Sequence, residues 1–196
     1  VTDIAATESR ERNAHVWARD PHDYYREPDW CSERLFQVET FEGRVCDPAA
    51  GSGAIVRAAK AAGLTAYGCD IVDRGFDYYQ ITDFLKSGAR TENIVSNPPF
   101  GCSQEFVARA LRLSARKVAM LLPTTWLNGA ARSRWLETTP LRRIWILAPR
   151  PSMPPGRLVD AGGKPGNGTK DFMWAVWLRG YDGRPEIQWL RRDAQP

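Results

Sequence analysis

"GRVCDPAAGSGAIVRAAKAAG", residues 43–63, carries a strand, a glycine turn and a helix in immediate succession. "GRVCD" (43–47) is a short apolar run of strand type, and "AIVRAAKAAG" (54–63) is an Ala-rich helix stopped by Gly63. Between them lies "DPAAGSG" (47–53), where Gly51 and Gly53 let the backbone turn sharply and approach a ligand. The helix that follows points its free N–H groups at whatever occupies that turn. A Gly-x-Gly pair by itself is equally compatible with a structural turn. Val56 stands where a dinucleotide fingerprint would place its third glycine, which argues against that class.

Working outward, the same alternation continues. "LTAYGCD" (64–70), "ENIVS" (92–96), "KVAMLLP" (117–123), "RRIWILA" (142–148), "DFMWAVWL" (171–178) and "EIQWL" (186–190) read as strands. "QEFVARALRLSA" (104–115) is a helix with Phe106, Val107, Ala110 and Leu111 on one face. In "YYREPDWCSERLFQV" a helix opens near Pro28, with Trp30, Leu35 and Val38 as inward positions. Val118 to Leu122 are apolar throughout rather than alternating, as in a sheet buried on both faces. The fold class is therefore α/β, with a mostly parallel, doubly wound sheet. Helical connections are missing near the end, so the final strands are expected to pair antiparallel. Between Arg150 and Gly168 nine of nineteen residues are Pro or Gly, too many for a helix or strand. A long loop of this kind in a compact domain is usually functional or mobile.

The chain of 196 residues fits one domain with a real core, and its 43% hydrophobic and 26% charged residues exclude global disorder. No apolar run approaches the ~20 residues that span a bilayer. The first 20 residues are polar and expected to be loosely held, without a secretory pattern. Cys31, Cys46, Cys69 and Cys102 stand far apart with no Cys-x-x-Cys pair, so neither a metal site nor a redox site is expected. Reduced thiols and a cytoplasmic location are the default reading. His15 and His22 look like surface residues. Charge is uneven: residues 1–43 balance to −5, so the remainder carries +9 of a net +4. A basic body behind an acidic segment makes a polyanionic partner plausible, although a solvated surface of mixed charge accounts for it equally.

At the end of the strand 64–70 stands Asp70, placed to accept from two ribose hydroxyls or to cap a turn. Asp83 in "ITDFL" follows at the edge of the same expected cleft, with a cap as its plainer role. "SNPPFG" (96–101) comes directly after the apolar Ile94-Val95. Residues that precede proline are driven extended, so Asn97 and Pro98 are held in one backbone shape. The Asn97 side-chain carbonyl and the Pro98 main-chain carbonyl would then converge as two acceptors on one –NH₂ group, with Phe100 as a flat face for a planar ring. Two acceptors on an aromatic amine localise its lone pair, which can then attack an electrophilic methyl. A plain Pro-Pro turn is the alternative.

Together these residues resemble the S-adenosylmethionine-dependent amino-methyltransferases, and most closely the adenine-specific DNA methyltransferases. The resemblance runs from about Tyr24 to Leu190 and keeps the family order of cofactor loop, ribose acid and Asn-Pro-Pro-Phe. It implies a Rossmann-like sheet of the class I methyltransferase type over residues 1–196, with an antiparallel strand near the C-terminus. S-adenosylmethionine would be wrapped by Asp47, Pro48, Ala49, Gly51 and Gly53, held at the ribose by Asp70, and bordered by Ile71, Asp83, Phe84 and Asn97. Asn97, Pro98, Pro99 and Phe100 would hold the target amine. "YYREPDW" looks like the family's N-terminal cofactor motif, with Glu27-Pro28 where Thr-Pro is usual. "LLPTTWLNGAARSRW" and "DFMWAVWLRGYDGRPEIQWL" look similar to small phage and prophage members, where the later aromatic strand, here Phe172 to Trp177, helps wall the base pocket.

Many members carry a separate target-recognition domain, for which this chain has no room. The loop 150–168 and the segment before it are its expected stand-in, since residues 129–164 balance to +5. Arg132 and Arg134, interleaved with Trp126, Trp135 and Trp145, suit a nucleic-acid surface or a solvated helix face. Trp126, Arg132, Arg134, Phe172 and Trp174 are the candidate substrate contacts. The implied reaction is methylation of the 6-amino group of adenine in duplex DNA, the base being flipped out. Rivals are an amine of RNA, a protein glutamine, and a non-catalytic module that binds nucleic acid. Phe100, where glutamine enzymes generally have Tyr, leans towards a nucleobase.

Overall fold

A computed structural model describes residues 22–87, 89–164 and 166–193. The polar opening stretch with His15 lies outside the described residues. Eight strands form one sheet: β1 (Val45–Asp47), β2 (Ala66–Asp70), β3 (Gln80–Ile81), β4 (Thr91–Ser96), β5 (Ser114–Pro123), β6 (Leu141–Ala148), β7 (Phe172–Leu178) and β8 (Glu186–Arg191). Their order is β3-β2-β1-β4-β5-β7-β6-β8. All neighbours run parallel except β7, which is antiparallel to both β5 and β6. The antiparallel expectation therefore holds for β7 and fails for β8, which pairs parallel to β6. The chain leaves β7 through a turn at Gly180 (φ +81°) and passes beyond β6 to reach the outer edge.

Helices α1 (Asp29–Val38), α2 (Ala54–Ala61), α3 (Ser103–Leu113), α4 (Ala130–Leu136) and α5 (Gly156–Asp160) accompany the sheet, with short 3-10 helices at Phe100–Cys102 and Thr124–Asn128. The unbroken apolar run of β5 has its reason in two cores, one on each face of the sheet. Ala119 and Leu121 join Leu35 of α1, Ile55 and Val56 of α2, and Trp174 in one cluster. Val118, Met120 and Leu122 join Phe106, Val107 and Ala110 of α3 in the other. Successive side chains of a strand point to opposite faces, so a strand covered on both sides must be apolar at every position. Leu35 of α1 is wholly buried, while Trp30 and Val38 pack against the core from its margin.

Two elements depart from expectation. The loop 150–168 contains α5, because Arg157 to Asp160 form a Pro- and Gly-free stretch long enough for one helical turn. β3 has two exposed residues, too few for a periodic signal. Below the sheet, Glu39 is buried but fully served: Lys117 Nζ (2.7 Å), Arg143 Nη1 (3.0 Å) and the Trp145 indole N–H (3.0 Å) all donate to it. Burial alone would raise the Glu39 carboxyl, yet the hydrogen bond and charge of Lys117 outweigh it and hold the group below the usual range. Among the described residues no helix is long and apolar enough to cross a membrane.

Candidate active site

The strand order reverses between β1 and β4, and open α/β sheets place their ligand cleft at such a switch, outside the carboxyl ends of the strands. Here those ends carry Asp47 (β1), Asp70 (β2) and Ser96-Asn97 (β4) around a cavity of about 230 Å³. The turn after β1 demands glycine. Gly51 has φ +52° and a Cβ there would lie 2.7 Å from the Tyr24 ring; Gly53 has φ +81° and a Cβ would meet Phe76 at 2.2 Å. Gly53 thus shapes the turn without lining the cavity, whereas Asp47, Pro48, Ala49 and Gly51 do line it.

Asp47 is almost fully enclosed; its Oδ1 accepts from the Ser96 hydroxyl (2.7 Å) and the Ala49 N–H (3.2 Å). Burial, with Glu27 nearby, pushes the Asp47 carboxyl well above the ordinary carboxylate range. Asp70 accepts the Gly51 N–H at Oδ2 (2.8 Å) and the Val72 N–H at Oδ1 (2.9 Å). Each oxygen keeps a second lone pair for a ligand. Ile71 sits at the rim, 54% exposed. Asp83 caps its own turn through the Leu85 N–H (2.9 Å) and pairs with Lys86, so the plainer role is realised even as it lines the cavity. Phe84 is buried beside it, its ring 4.6 Å from that of Phe106.

Asn97 is held most closely. Its Nδ2 donates to the Tyr25 carbonyl (3.0 Å) and to Glu27 Oε2 (2.9 Å). Both amide hydrogens are thereby spent, and Oδ1 is the atom left for the cleft. Pro98 is buried behind it and Pro99 lines the cavity. Phe100 lies outside that lining, stacked on Tyr25 (centroids 5.7 Å, planes 18° apart) and 5.9 Å from Phe172.

The substrate candidates divide. Phe172 meets Phe100 because β7 is antiparallel, which brings its first residue to the edge where the parallel strands end. Trp174 lies two residues deeper, is wholly buried, and commits its indole N–H to the Cys31 carbonyl (2.9 Å); it belongs to the core. Trp126 is likewise buried, with its N–H on Ser103 Oγ (3.0 Å). Arg132 braces that ring from 4.7 Å and donates to the Trp126 carbonyl (2.7 Å) and Gln104 (3.2 Å), whereas Arg134 is exposed. The basic segment is thus partly consumed internally, as Arg143 also bridges Glu39 and Glu186 and Arg150 pairs with Asp171.

The strap 22–27, which opens the stretch that resembles the N-terminal cofactor motif, adds residues that were not among the candidate site residues. Tyr24 packs on Gly51 and on Gly156, with the Arg74 guanidinium 4.0 Å above its ring. Arg26 and Gly156 pair with Pro154 and Tyr24 by backbone hydrogen bonds, which ties the loop 150–168 to the strap. The usable signal was the "YYREP" stretch itself; the partners of its individual residues lie far away in the chain. Glu27 is buried, and desolvation raises its carboxyl above the ordinary range. A cleft bordered by Asp47, Asp70 and Asp83 favours a ligand with positive charge and hydroxyl donors.

No family model and no curated protein matches the sequence. Solved structures do. A candidate RNA methyltransferase from Pyrococcus horikoshii is similar at 16% identity and TM-score 0.59, over 79% of this chain and 85% of that one. A candidate class I S-adenosylmethionine-dependent methyltransferase from Listeria monocytogenes matches at 12% identity and TM-score 0.58, over 84% of this chain and 64% of that one. The EcoKI type I restriction enzyme M protein matches at 13% identity and TM-score 0.59, over 86% of this chain and 49% of that one. The chain therefore spans less than two thirds of the Listeria protein and about half of the EcoKI subunit. At such identities the likeness is one of fold, and the fold is that of the class I methyltransferases.

Proposed function

We propose that this chain transfers a methyl group from S-adenosylmethionine to the 6-amino group of adenine in DNA. The observation that carries the reading is Asn97: both hydrogens of its amide are bound by Tyr25 and Glu27, so its oxygen faces the cleft beside the carboxylates. The cleft suits the cofactor chemically. Asp47 offers negative charge to a cation, Asp70 has lone pairs for ribose hydroxyls, and Ile71 with Phe84 offers apolar flanks to a flat base. Arg74 Nε, buried and without an acceptor among the described residues, is a donor for a ligand oxygen. When bound, the cofactor supplies an electrophilic methyl group.

The chain's own residues do the rest. Asn97 Oδ1 and the Pro98 carbonyl accept the two hydrogens of the target amine, drawing its nitrogen out of conjugation with the ring. The localised lone pair becomes nucleophilic, and the amine loses a proton during or after transfer, so no strong base is needed beforehand. Phe100, with Phe172 beside it, presents an aromatic surface to the base. The type I restriction M protein among the structural neighbours supports DNA as the substrate, and the Pyrococcus protein makes RNA the second reading.

The test is transfer of labelled methyl to duplex DNA, single-stranded DNA, RNA and a glutamine-containing peptide in parallel. Label recovered as 6-methyladenine from DNA is expected; label confined to RNA or peptide would replace the substrate. Cofactor binding with no transfer to anything would leave a binding module. Asn97→Ala should lose roughly a hundredfold in rate at unchanged cofactor affinity, because its oxygen acts on the transition state.

A further inference from the structure

The strap that closes the cleft is built by alternation. Tyr24 and Arg26 turn towards the cofactor loop and the segment 154–160. Asp23, Tyr25 and Glu27 turn the other way and together hold the stretch Asn97–Gly101. Asp23 Oδ2 accepts the Gly101 N–H (2.7 Å), the Tyr25 ring stacks on Phe100, and the Tyr25 carbonyl and Glu27 carboxylate accept from Asn97. Pro28 restricts the backbone of Glu27 to an extended shape and fixes where its side chain starts.

An asparagine amide is nearly symmetric in shape, and its two flipped states differ only in which group faces which partner. With the oxygen towards the cleft, Asn97 accepts from an incoming amine. With the nitrogen there, donor would face donor and nothing would draw on the amine. The choice is made by what lies behind. A main-chain carbonyl accepts only, and Glu27 Oε2 accepts from Asn97 at 2.9 Å, so Tyr25 and Glu27 both take the –NH₂ end. Tyr25 supplies its share from the backbone, which any residue would do. Glu27 is the side chain on which the orientation depends: it is 8% exposed, and its other oxygen lies 3.5 Å from the Ser32 hydroxyl, a further donor.

We infer that Glu27 is a positioning residue that locks the Asn97 amide with its oxygen towards the target amine. This rests on the reading of Asn97 given above, and it assigns a specific task to the residue preceding Pro28. The work is done by an acceptor oxygen at this place rather than by negative charge as such.

Two substitutions separate the roles. Glu27→Leu removes the acceptor while keeping the volume, and it should fold, because it replaces a carboxylate whose burial is costly by a group at home there. Glu27→Gln keeps an acceptor oxygen that can face Asn97, with its own –NH₂ turned to the Ser32 hydroxyl. In Glu27→Leu the kcat should fall about tenfold to a hundredfold, as for other slight misplacements of a catalytic group, with KM for DNA within about threefold of wild type. Glu27→Gln should stay within about threefold in both. Independently of activity, the side-chain amide protons of Asn97, assigned by NMR through their loss in Asn97→Ala, should lose exchange protection in Glu27→Leu and retain it in Glu27→Gln. Unchanged Asn97 signals in Glu27→Leu, or a Glu27→Gln variant as slow as Glu27→Leu, would overturn the inference. Should Glu27→Leu not fold, the Glu27→Gln rate and spectrum decide alone, since loss of either in a variant that keeps the oxygen contradicts the role. A wild-type protein inactive on every substrate, whose Asn97 signals still respond to Glu27→Leu, would remove the methyl-transfer reading and uphold the orientation.

Discussion

Asp47 and Glu27 are carboxylates in a place that penalises charge, and burial and the neighbouring Glu27 together push the Asp47 carboxyl up. A carboxylate whose pKa is raised on folding contributes stability that is fully present below its unfolded value, about 3.9 for Asp, and is lost as pH rises through the raised folded value. Asp47→Asn can still accept from Ser96 and Ala49 through its carbonyl oxygen but does not ionise. The Tm of the variant minus that of the wild type should therefore grow as pH rises from about 4 and level off once Asp47 is ionised. The gain in stability should come with a loss in binding: a cationic ligand should bind about tenfold more weakly, the equivalent of one charge-assisted contact. Scanning fluorimetry at several pH values and calorimetry with the cofactor measure both. A Tm difference that shrinks with rising pH would show that Asp47 is stabilised, not strained, by its surroundings.

At the scale of elements, the site depends on how α5 and the strap lean on each other. Gly156 opens α5 directly against Tyr24, and a Cβ there would fall 2.0 Å from the Tyr24 ring. Its N–H donates to the Tyr24 carbonyl (2.8 Å), so ring and backbone are both close. Gly156→Ala should displace the strap without touching either core, at an overpacking cost of about 1–3 kcal/mol. The visible consequence should be in function: cofactor affinity and kcat fall together, since Tyr24 covers Gly51 and Tyr25 and Glu27 hold Asn97 on the same short segment. The exposed Arg26–Asp160 pair is the control, as removing it should cost under about 1 kcal/mol. If Gly156→Ala binds and turns over as wild type does, the strap is not coupled to the loop.

Across the whole molecule, charge that reads as one basic surface is divided by the fold. Arg132 braces Trp126, Arg143 bridges two glutamates, and Arg150 pairs with Asp171, whereas Arg134 faces solvent. The two neighbouring arginines of α4 should consequently behave differently. If α4 meets the phosphate backbone, Arg134→Ala should flatten the log–log salt dependence of DNA affinity by about 0.9, one contact's worth, and leave Tm unchanged. Arg132→Ala should lower Tm, because it uncovers a buried tryptophan and releases the Trp126 carbonyl. Titrations with one duplex at several salt concentrations, beside thermal melts, separate the two. Equal slopes for Arg134→Ala and wild type would take α4 out of the interface.

Local features were legible because their causes are local. A strand buried on both faces must be apolar at every position, and so Val118 to Leu122 disclosed the sheet and the α/β class. The turn at Gly51 and Gly53 and the rigid pair Pro98-Pro99 reflect backbone limits within a few residues, which is why the cleft-lining residues from Asp47 to Asn97 stood out in order. The rest required partners that periodicity does not name. An aromatic strand end reads the same whether it borders a pocket or fills a core, and only the antiparallel setting of β7 brought Phe172 to the edge and sank Trp174 beneath it. β8 chose β6 as a parallel neighbour through a turn that has no register signal of its own. Glu27 and Asn97 lie seventy residues apart, and their contact exists because the segment that enters α1 lies against the end of β4. Sequence alone set which residues could bind and react; the tertiary packing decided which of them face the cleft and in what orientation, because contacts distant in the chain form only when the sheet is assembled.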